Sequence, residues 1–130
     1  MTEYVADTHA FFWYLTAMPQ LGADALNAFR AGEQGQARIY LPSIVLAELY
    51  YLNEKLKRSL DFAQEFARIK SGAQFSFVSF TAEDVMRFEA LSAIPEMHDR
   101  MIAGVALQRN CPCLTRDSFI VNSGIVQTVW

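Results

Sequence analysis

Short apolar segments alternate with longer amphipathic segments along the whole of this 130-residue chain. Each apolar segment has the length of a buried strand, and each stretch between them has the residue spacing of a helix. Strands separated by helices need crossover connections, which build a parallel sheet with helices on both faces. We therefore expect an α/β protein with a three-layer α/β/α fold around a mostly parallel, five-stranded central sheet. The predicted strands are 4–6, 37–41, 75–80, 113–114 and 125–130.

Capping and stop residues indicate where the helices begin and end. Thr8 and Ser43 precede apolar helical patterns and are expected to cap them, and Thr81 with Asp84 has the spacing of a capping box. Asn110 is expected to end the last long helix in a left-handed conformation. The predicted helices are 8–15, 23–31, 43–56, 60–69, 82–91 and 98–109.

Length and composition limit the class of protein. Residues 1–130 are expected to form a single domain, because a chain of this length supports one hydrophobic core. The composition is 52% hydrophobic and 19% charged, which excludes intrinsic disorder and leaves apolar surface for a partner. Cys111 and Cys113 are the two cysteines, which are too few for a zinc site, so we expect buried thiols in a reducing cytoplasm. The sequence has no membrane-length apolar run, and its acidic start at Glu3 is unlike a signal peptide.

Four carboxylates fall where a parallel sheet places its ligand-binding residues. In such a sheet, ligands bind beyond the carboxyl ends of the strands, where the strand order reverses. Asp7 follows the first predicted strand, and Asp117 follows the fourth by a few residues. Asp99 and Glu48 lie in the first two turns of predicted helices, where side chains lean toward the helix N-terminus. We therefore expect all four carboxylates to meet at one edge of the sheet.

The surroundings of these acids favour a bound cation. Glu48 interrupts an otherwise apolar helix, and Asp7 is flanked by apolar segments. A carboxylate in such surroundings needs a hydrogen-bond donor, a raised pKa or a cation. Clustered oxygen ligands select Mg²⁺, with Mn²⁺ as an alternative, and a site of this kind serves phosphoryl transfer. Taken singly, Asp99 is also explained by the helix dipole and Asp117 by a turn.

Four short motifs resemble those of the PIN domain, and in particular those of the VapC-type ribonuclease toxins of prokaryotic toxin–antitoxin pairs. They occur in the family's order from residue 5 to residue 119, which is nearly the whole chain. The motifs are Val5-Ala6-Asp7-Thr8-His9-Ala10-Phe11 with Trp13, Pro42-Ser43 with Ala47-Glu48-Leu49, Asp99-Arg100-Met101-Ile102-Ala103, and Leu114-Thr115-Arg116-Asp117 with Phe119.

The resemblance implies a Mg²⁺-dependent endoribonuclease in which Asp7, Glu48, Asp99 and Asp117 bind the metal and orient the attacking water. It also implies that Thr115 hydrogen-bonds this cluster. The implied partners are an RNA substrate, a cognate antitoxin whose helix occupies a groove, and a second copy of the chain in a homodimer. Two alternatives stay open: a degenerate PIN-fold module that binds RNA or protein without catalysis, and a nuclease that acts on DNA.

The charge balance bears on the RNA expectation. The net charge is −3, from 11 basic and 14 acidic residues, which by itself argues against nucleic-acid binding. Without the four proposed ligands the balance is 11 basic against 10 acidic residues, or +1. Arg100 and Arg116 each adjoin a proposed ligand and are the candidates for the scissile phosphate. The basic cluster of Lys55, Lys57 and Arg58 is interpreted as a solvated helix end, with an RNA track as the alternative.

Several other side chains have two interpretations. His9 and His98 are expected to cap helices or to lie at the surface, rather than to act as general bases. Glu96 lies in a proline-led loop and is less suited than Asp99 to be the third acid. A further set of aromatic residues is expected to pack in the core, with a protein interface as the alternative: Tyr50, Tyr51, Phe62 and Phe66.

Overall fold

A parallel sheet lies at the centre of the molecule. The structure is a computed structural model that describes residues 1–57 and 60–130. Its strands pair in parallel in the order β3-β2-β1-β4-β5, which confirms the predicted α/β/α architecture with pairing that is parallel throughout the described residues. The strands are β1 Thr2–Ala6, β2 Ala37–Pro42, β3 Phe75–Val78, β4 Cys113–Leu114 and β5 Thr128–Val129.

Helices connect and cover these strands, as crossover connections between parallel strands require. The helices of the described residues are α1 Thr8–Leu15, α2 Ala23–Glu33, α3 Ser43–Lys55, α4 Phe62–Ser71, α5 Ala82–Val85, α6 Met97–Arg109 and α7 Ser118–Ser123. Asn110 ends α6 in the left-handed conformation that the sequence predicts. Arg58, part of the predicted basic cluster, lies outside the described residues.

The order of the strands reverses at β1. From β1 the chain crosses to β2 on one side, whereas β4 pairs with β1 on the other side. Ala6 is level with Leu114 in this pairing, and the Asp7 N–H donates to the Leu114 carbonyl oxygen at 3.1 Å. The segments that follow β1 and β4 therefore leave the sheet side by side, at the place where open α/β sheets bind ligands.

The predicted helix 82–91 is wrong in its second half. Helix α5 ends at Val85, and a 3₁₀ turn spans Glu89–Leu91. Leu91 and Ile94 are fully buried in a second apolar cluster with Ala103 and Ile120, apart from the main core. Beyond this turn the Ile94 N–H donates to the Leu91 carbonyl oxygen at 2.9 Å, which keeps the two residues close together. Tertiary packing here overrides the helical pattern of the sequence.

The predicted caps and strand lengths need smaller corrections. The N-cap of α1 is Asp7 rather than Thr8, whose buried side chain points elsewhere. Ser43 is the first residue of α3, and its hydroxyl donates to the Val78 carbonyl oxygen at 3.0 Å instead of capping the helix. Strand β3 ends two residues early, at Val78, and β5 is limited to the two residues that pair with β4.

Both cysteines of the chain are buried free thiols, as the sequence predicts. Cys111 lies before β4, and Cys113 is fully buried in β4 between β1 and β5. Burial raises the pKa of the Cys113 thiol well above its ordinary value.

Among the described residues, none of the helices combines the length and apolar character needed to cross a bilayer.

Gly22 is required by a close approach of the chain. A Cβ atom at this position would lie 2.4 Å from the carbonyl carbon of Trp130 and 2.5 Å from its Cδ1. We expect Gly22→Ala to lower the free energy of unfolding by about 1–3 kcal/mol, because the Trp130 backbone has to shift. Urea unfolding measures the change.

Gly104→Ala is the matched control for this substitution. Its Cβ would meet only Leu91 Cδ1, at 3.4 Å, within a helix that favours alanine over glycine. We expect this variant to be unchanged or stabilised by up to about 1 kcal/mol. Equal destabilisation by both substitutions would contradict the close approach at Gly22.

Candidate active site

Asp7 is held at the end of β1 by two hydrogen bonds. Its Oδ1 accepts from the Ala10 N–H at 2.8 Å, which makes Asp7 the N-cap of α1, and its Oδ2 accepts from the Thr115 hydroxyl. Burial raises the pKa of Asp7, and the hydrogen bonds from Thr115 and Ala10 oppose that shift. The carboxylate is therefore fixed in orientation, and its charge is costly in this site.

Thr115 links Asp7 to Asp117. Thr115 is buried, with 1% of its surface exposed. Its hydroxyl donates a hydrogen bond to Asp7 Oδ2 and accepts one from the Asp117 N–H at 3.0 Å. Asp117 in turn caps α7, with Oδ1 accepting from the N–H groups of Phe119 and Ile120 at 3.0 and 3.1 Å. Each aspartate thus uses part of its carboxylate to start a helix at the edge of the sheet.

Glu48 reaches the same edge from α3. Its Oε1 accepts from the Thr8 hydroxyl at 2.8 Å, which explains why Thr8 is buried and does not cap α1. His98 Nδ1 lies 3.5 Å from Glu48 Oε2 and 3.6 Å from Glu96 Oε1. His98 therefore lies near two carboxylates with 40% of its side chain exposed, which agrees with the surface interpretation.

Asp99 carries the clearest electrostatic sign that the acids act together. It lies in the first turn of α6, where the Glu96 side chain caps the helix by accepting the Asp99 N–H at 2.8 Å. Burial and then the negative charges of Asp117, Glu96, Glu48 and Asp7 raise the pKa of Asp99 to about 6. Burial is the larger cause, and the neighbouring carboxylates add to it because like charges disfavour ionisation.

A cavity of about 470 Å³ lies at this edge of the sheet. All four acids predicted from the sequence line it, and Glu96 does not. Among the described residues, Arg116 is the one Lys or Arg in the lining. The lining residues are Asp7, Thr8, His9, Trp13, Glu48, Asp99, Ile102, Arg116, Asp117 and Trp130.

Arg100, the other arginine predicted for the scissile phosphate, is placed elsewhere. Its Nε donates to the Ile94 carbonyl oxygen, and its Nη2 lies 3.5 Å from the Ser92 carbonyl oxygen. These contacts hold the turn before α6. Arg116 is therefore the arginine that we retain as the phosphate candidate.

The donor set fits a hard divalent cation in its chemistry. Four carboxylates line the cavity, and carboxylate oxygens are the ligand type that Mg²⁺ and Mn²⁺ prefer. As the side chains stand, however, no three His, Cys, Asp or Glu residues of the described part of the chain are arranged to hold a metal ion. Binding an ion here requires some of the carboxylates to turn toward a common point.

An apolar groove of about 480 Å³ adjoins the acidic cavity along α3. Tyr51, 73% exposed, lies in this groove, and Thr8, His9 and Glu48 line both the groove and the acidic cavity. The adjacent Tyr50 is 45% exposed and packs edge to face against Tyr51 and Phe62. These tyrosines are therefore surface residues, as the interface interpretation requires.

The family model of the PIN domain matches residues 4–121, which is most of the chain. The chain belongs to the PIN domain family. PIN domains are generally nucleases, and they generally use divalent metals. Comparison with curated protein sequences finds no significant match.

Several solved structures share the fold at low sequence identity. VapBC2 from Rickettsia felis, bound to a promoter DNA fragment, has a TM-score of 0.72 at 19% identity over 98% of both chains. FitAcB from Neisseria gonorrhoeae has a TM-score of 0.70 at 17% identity over 98% of this chain and 96% of that one. DNA-bound VapBC from Salmonella typhimurium has a TM-score of 0.66 at 20% identity over 99% and 98%. These likenesses establish the PIN fold of the chain.

Asp99 makes the stability of the protein depend on pH. Its pKa rises from 3.8 to about 6 on folding, so its contribution to stability is present below pH 3.8 and is lost as the pH rises through about 6. Two pKa units correspond to about 3 kcal/mol, which we reduce to about 1 kcal/mol because the side chain is partly exposed. We expect metal-free Asp99→Asn to exceed the wild type in unfolding free energy by about that amount at pH 8.

Urea unfolding between pH 4 and pH 8 in EDTA measures this difference. The gain from Asp99→Asn should shrink toward zero near pH 4, whereas exposed Asp24→Asn on α2 should show no such trend. A gain that is constant or that shrinks with rising pH would show that Asp99 is not under the repulsion of its neighbours.

Proposed function

We propose that this PIN domain, formed by residues 1–130 as a single domain, is a Mg²⁺-dependent endoribonuclease that acts as the toxin of a toxin–antitoxin pair. One observation carries the nuclease part: four carboxylates from four separate segments line one cavity at the switch point of the sheet, where burial and then the neighbouring negative charges raise the pKa of Asp99 to about 6. Such crowding costs stability unless a cation offsets it. Asp7, Glu48, Asp99 and Asp117 are the proposed ligands.

The contacts of the site support a role for several of its residues in this reaction. A divalent cation, when bound, neutralises charge on the scissile phosphate and lowers the pKa of water. Thr115 fixes Asp7 and the backbone of Asp117, and Thr8 fixes one oxygen of Glu48 while the other stays near His98. Arg116 adds the positive charge that attracts a phosphate into an otherwise acidic cavity.

The partner part of the proposal has separate support. Two of the solved structures with this fold are VapBC proteins bound to DNA, one of them to a promoter fragment. The chain also presents an apolar groove beside its acidic cavity. An amphipathic helix is the partner chemistry that such a groove fits. We propose a cognate antitoxin helix as the occupant, a homodimer as the assembly and the cytoplasm as the location.

A second candidate is a PIN-fold module that binds RNA or protein without cleaving it. It is favoured by the finding that the described carboxylates, as they stand, are not arranged to hold a metal ion. The remaining alternative is a nuclease that cuts DNA. The same cleavage assay separates all three functions.

Asp7→Asn tests the nuclease proposal, because it keeps the shape of the side chain and its contact with Ala10 but removes a charged ligand. We expect the wild type to cleave single-stranded RNA in Mg²⁺, EDTA to stop the reaction, and Asp7→Asn to lose at least about 100-fold in rate. Exposed Asp24→Asn is the matched control and should keep wild-type activity. Full cleavage by Asp7→Asn would refute the assignment, and cleavage of DNA alone would favour the DNA nuclease.

Metal binding has a readout that does not depend on cleavage. We expect Mg²⁺ to raise the melting temperature of the wild type, because the ion binds the folded site and not the unfolded chain. The melting temperature of Asp7→Asn should rise less, because this variant lacks one of the charged ligands. Without metal, Asp7→Asn should be at least as stable as the wild type, because burial penalises the charge of Asp7. Differential scanning fluorimetry across a Mg²⁺ series measures both effects.

The groove gives a test of the antitoxin partner. If a neighbouring reading frame encodes a small DNA-binding protein with a helical tail, we expect its product to co-purify with this chain. Tyr51→Asp should weaken that complex at least about 10-fold, because it places a charge in an apolar contact. Met86→Asp, at a methionine that is 82% exposed outside the groove, is the matched control and should bind normally. Equal binding by all three proteins would exclude the groove.

A further inference from the structure

The cavity has an aromatic wall that the acidic residues do not explain. Arg116 Cζ lies 4.7 Å from the centre of the Trp13 ring and 5.5 Å from the centre of the Trp130 ring. The two indole rings meet edge to face, with their centres 5.8 Å apart. We call Trp13, Trp130 and Arg116 the Trp–Arg cluster. All three side chains line the same cavity as the four carboxylates.

The charge of Arg116 is available to a ligand. Arg116 is exposed, and within the described part of the chain its guanidinium forms no salt bridge, although Asp7 and Asp117 line the same cavity. It lies instead against the two indole rings, which attract cations through the negative charge of their faces. A guanidinium held in this way keeps its N–H groups for an incoming anion or base.

The cluster is positioned before any ligand arrives. Trp13 lies on α1, six residues after the capping Asp7. The centres of the His9 and Trp13 rings are 5.3 Å apart. Trp130 follows β5, whose partner β4 leads directly to Arg116. The missing side chain of Gly22 leaves the room that the Trp130 ring occupies. A ligand that binds such a preformed wall does not have to order it.

We propose that the Trp–Arg cluster is the subsite for the nucleobase next to the scissile phosphate, a proposal that rests on the nuclease function above. Nucleobases stack on indole rings and on guanidinium planes, and these are the groups that the wall presents. The acidic cavity and the wall are continuous, so a nucleotide whose phosphate lies near the carboxylates has its base within reach of the wall. A paired base is already stacked in its duplex, and the subsite therefore takes an unpaired nucleotide.

Tryptophan fluorescence observes this subsite directly. Trp13 and Trp130 are the two tryptophans of the chain, so emission excited selectively in tryptophan comes from the cluster. The probe is a single-stranded RNA octamer, added to Asp7→Asn protein in Mg²⁺, and the control is an octamer of the same charge without bases. We expect the RNA to quench the emission and the abasic octamer to leave it nearly unchanged. Equal responses to the two octamers, or none to either, would overturn the proposal.

A cleavage experiment tests the same contact in the active protein. Trp13→Leu should lower kcat/KM on RNA by about 5- to 100-fold, the range expected when one base loses its stacking partner. On a substrate that lacks the base beside the cleaved bond, the wild type and Trp13→Leu should differ by less than about twofold, because the contact is already absent. Phe80→Leu, at an exposed aromatic residue outside the cavity, is the matched control and should match the wild type on both substrates.

The outcomes separate this proposal from the nuclease function. Quenching by bases, combined with a wild type that cleaves no RNA, supports base binding at the Trp–Arg cluster and refutes the nuclease function. Cleavage that Trp13→Leu reduces equally on both substrates shows a structural role for the wall, and it overturns the subsite while the nuclease function stands. If Trp13→Leu does not fold, the fluorescence comparison of the two octamers still decides the matter.

Discussion

The pairing of β1 with β4 is the constraint on which the candidate site depends. It aligns Ala6 with Leu114, and the hydrogen bond from Asp7 to Leu114 extends it by one residue beyond the strand. From that point Asp7 starts α1 and Asp117 starts α7, with Thr115 hydrogen-bonded to both. Two short strands of the sheet thus fix the relative positions of two acids that are 110 residues apart in the sequence. Glu48 and Asp99 join them from helices that pack on the same edge.

The arrangement places charges together at a cost, and the structure shows how part of that cost is offset. Three of the four acids are tied to donors: Asp7 to Thr115 and Ala10, Glu48 to Thr8, and Asp117 to the first N–H groups of α7. In Asp99 the cost stays visible, because neither oxygen of this carboxylate accepts a hydrogen bond from another described residue, and burial together with the neighbouring negative charges raises its pKa to about 6. The site is therefore rigid on the side of β1 and β4 and electrostatically strained on the side of α6. A cation would act mainly on that strained side.

Much of the fold and of the acidic cluster was predictable, because both follow from local patterns and one topological rule. Apolar runs separated by helical segments imply parallel strands, and parallel strands bring Asp7 and Asp117 to one edge. The helix caps were harder to predict, since Asp7 and Thr8 are adjacent and both suited to capping. Only the position of Glu48, which accepts the Thr8 hydroxyl, decides between them. Similarly, the helix break before residue 91 depends on a second apolar cluster whose members come from distant segments.

Other parts of the site had weaker signals in the sequence. Asp117, Ser118 and Gly124 mark the start and end of α7, but the helix is only six residues long. Arg100 and Arg116 are equivalent in the sequence, since each is next to an acid. Only the hydrogen bond from Arg100 to the Ile94 carbonyl oxygen shows that Arg100 contacts the preceding turn instead of the cavity. Trp130 gave no sign of a site role, because its place beside Trp13 depends on the pairing of β5 with β4 and on the space left by Gly22. Contacts between segments far apart in sequence decide each of these cases.

The buried thiol of Cys113 has a consequence for following this site in solution. It lies in β4 between β1 and β5, fully buried, and burial keeps it protonated. A thiol in this state does not react with alkylating reagents, because the reactive species is the exposed thiolate. Alkylation of Cys113 therefore requires β4 to separate from its neighbours, which is the same event that moves Asp7 away from Asp117. The labelling rate of this sulfur atom under native conditions thus reports how often β4 leaves its neighbours, through local or global opening.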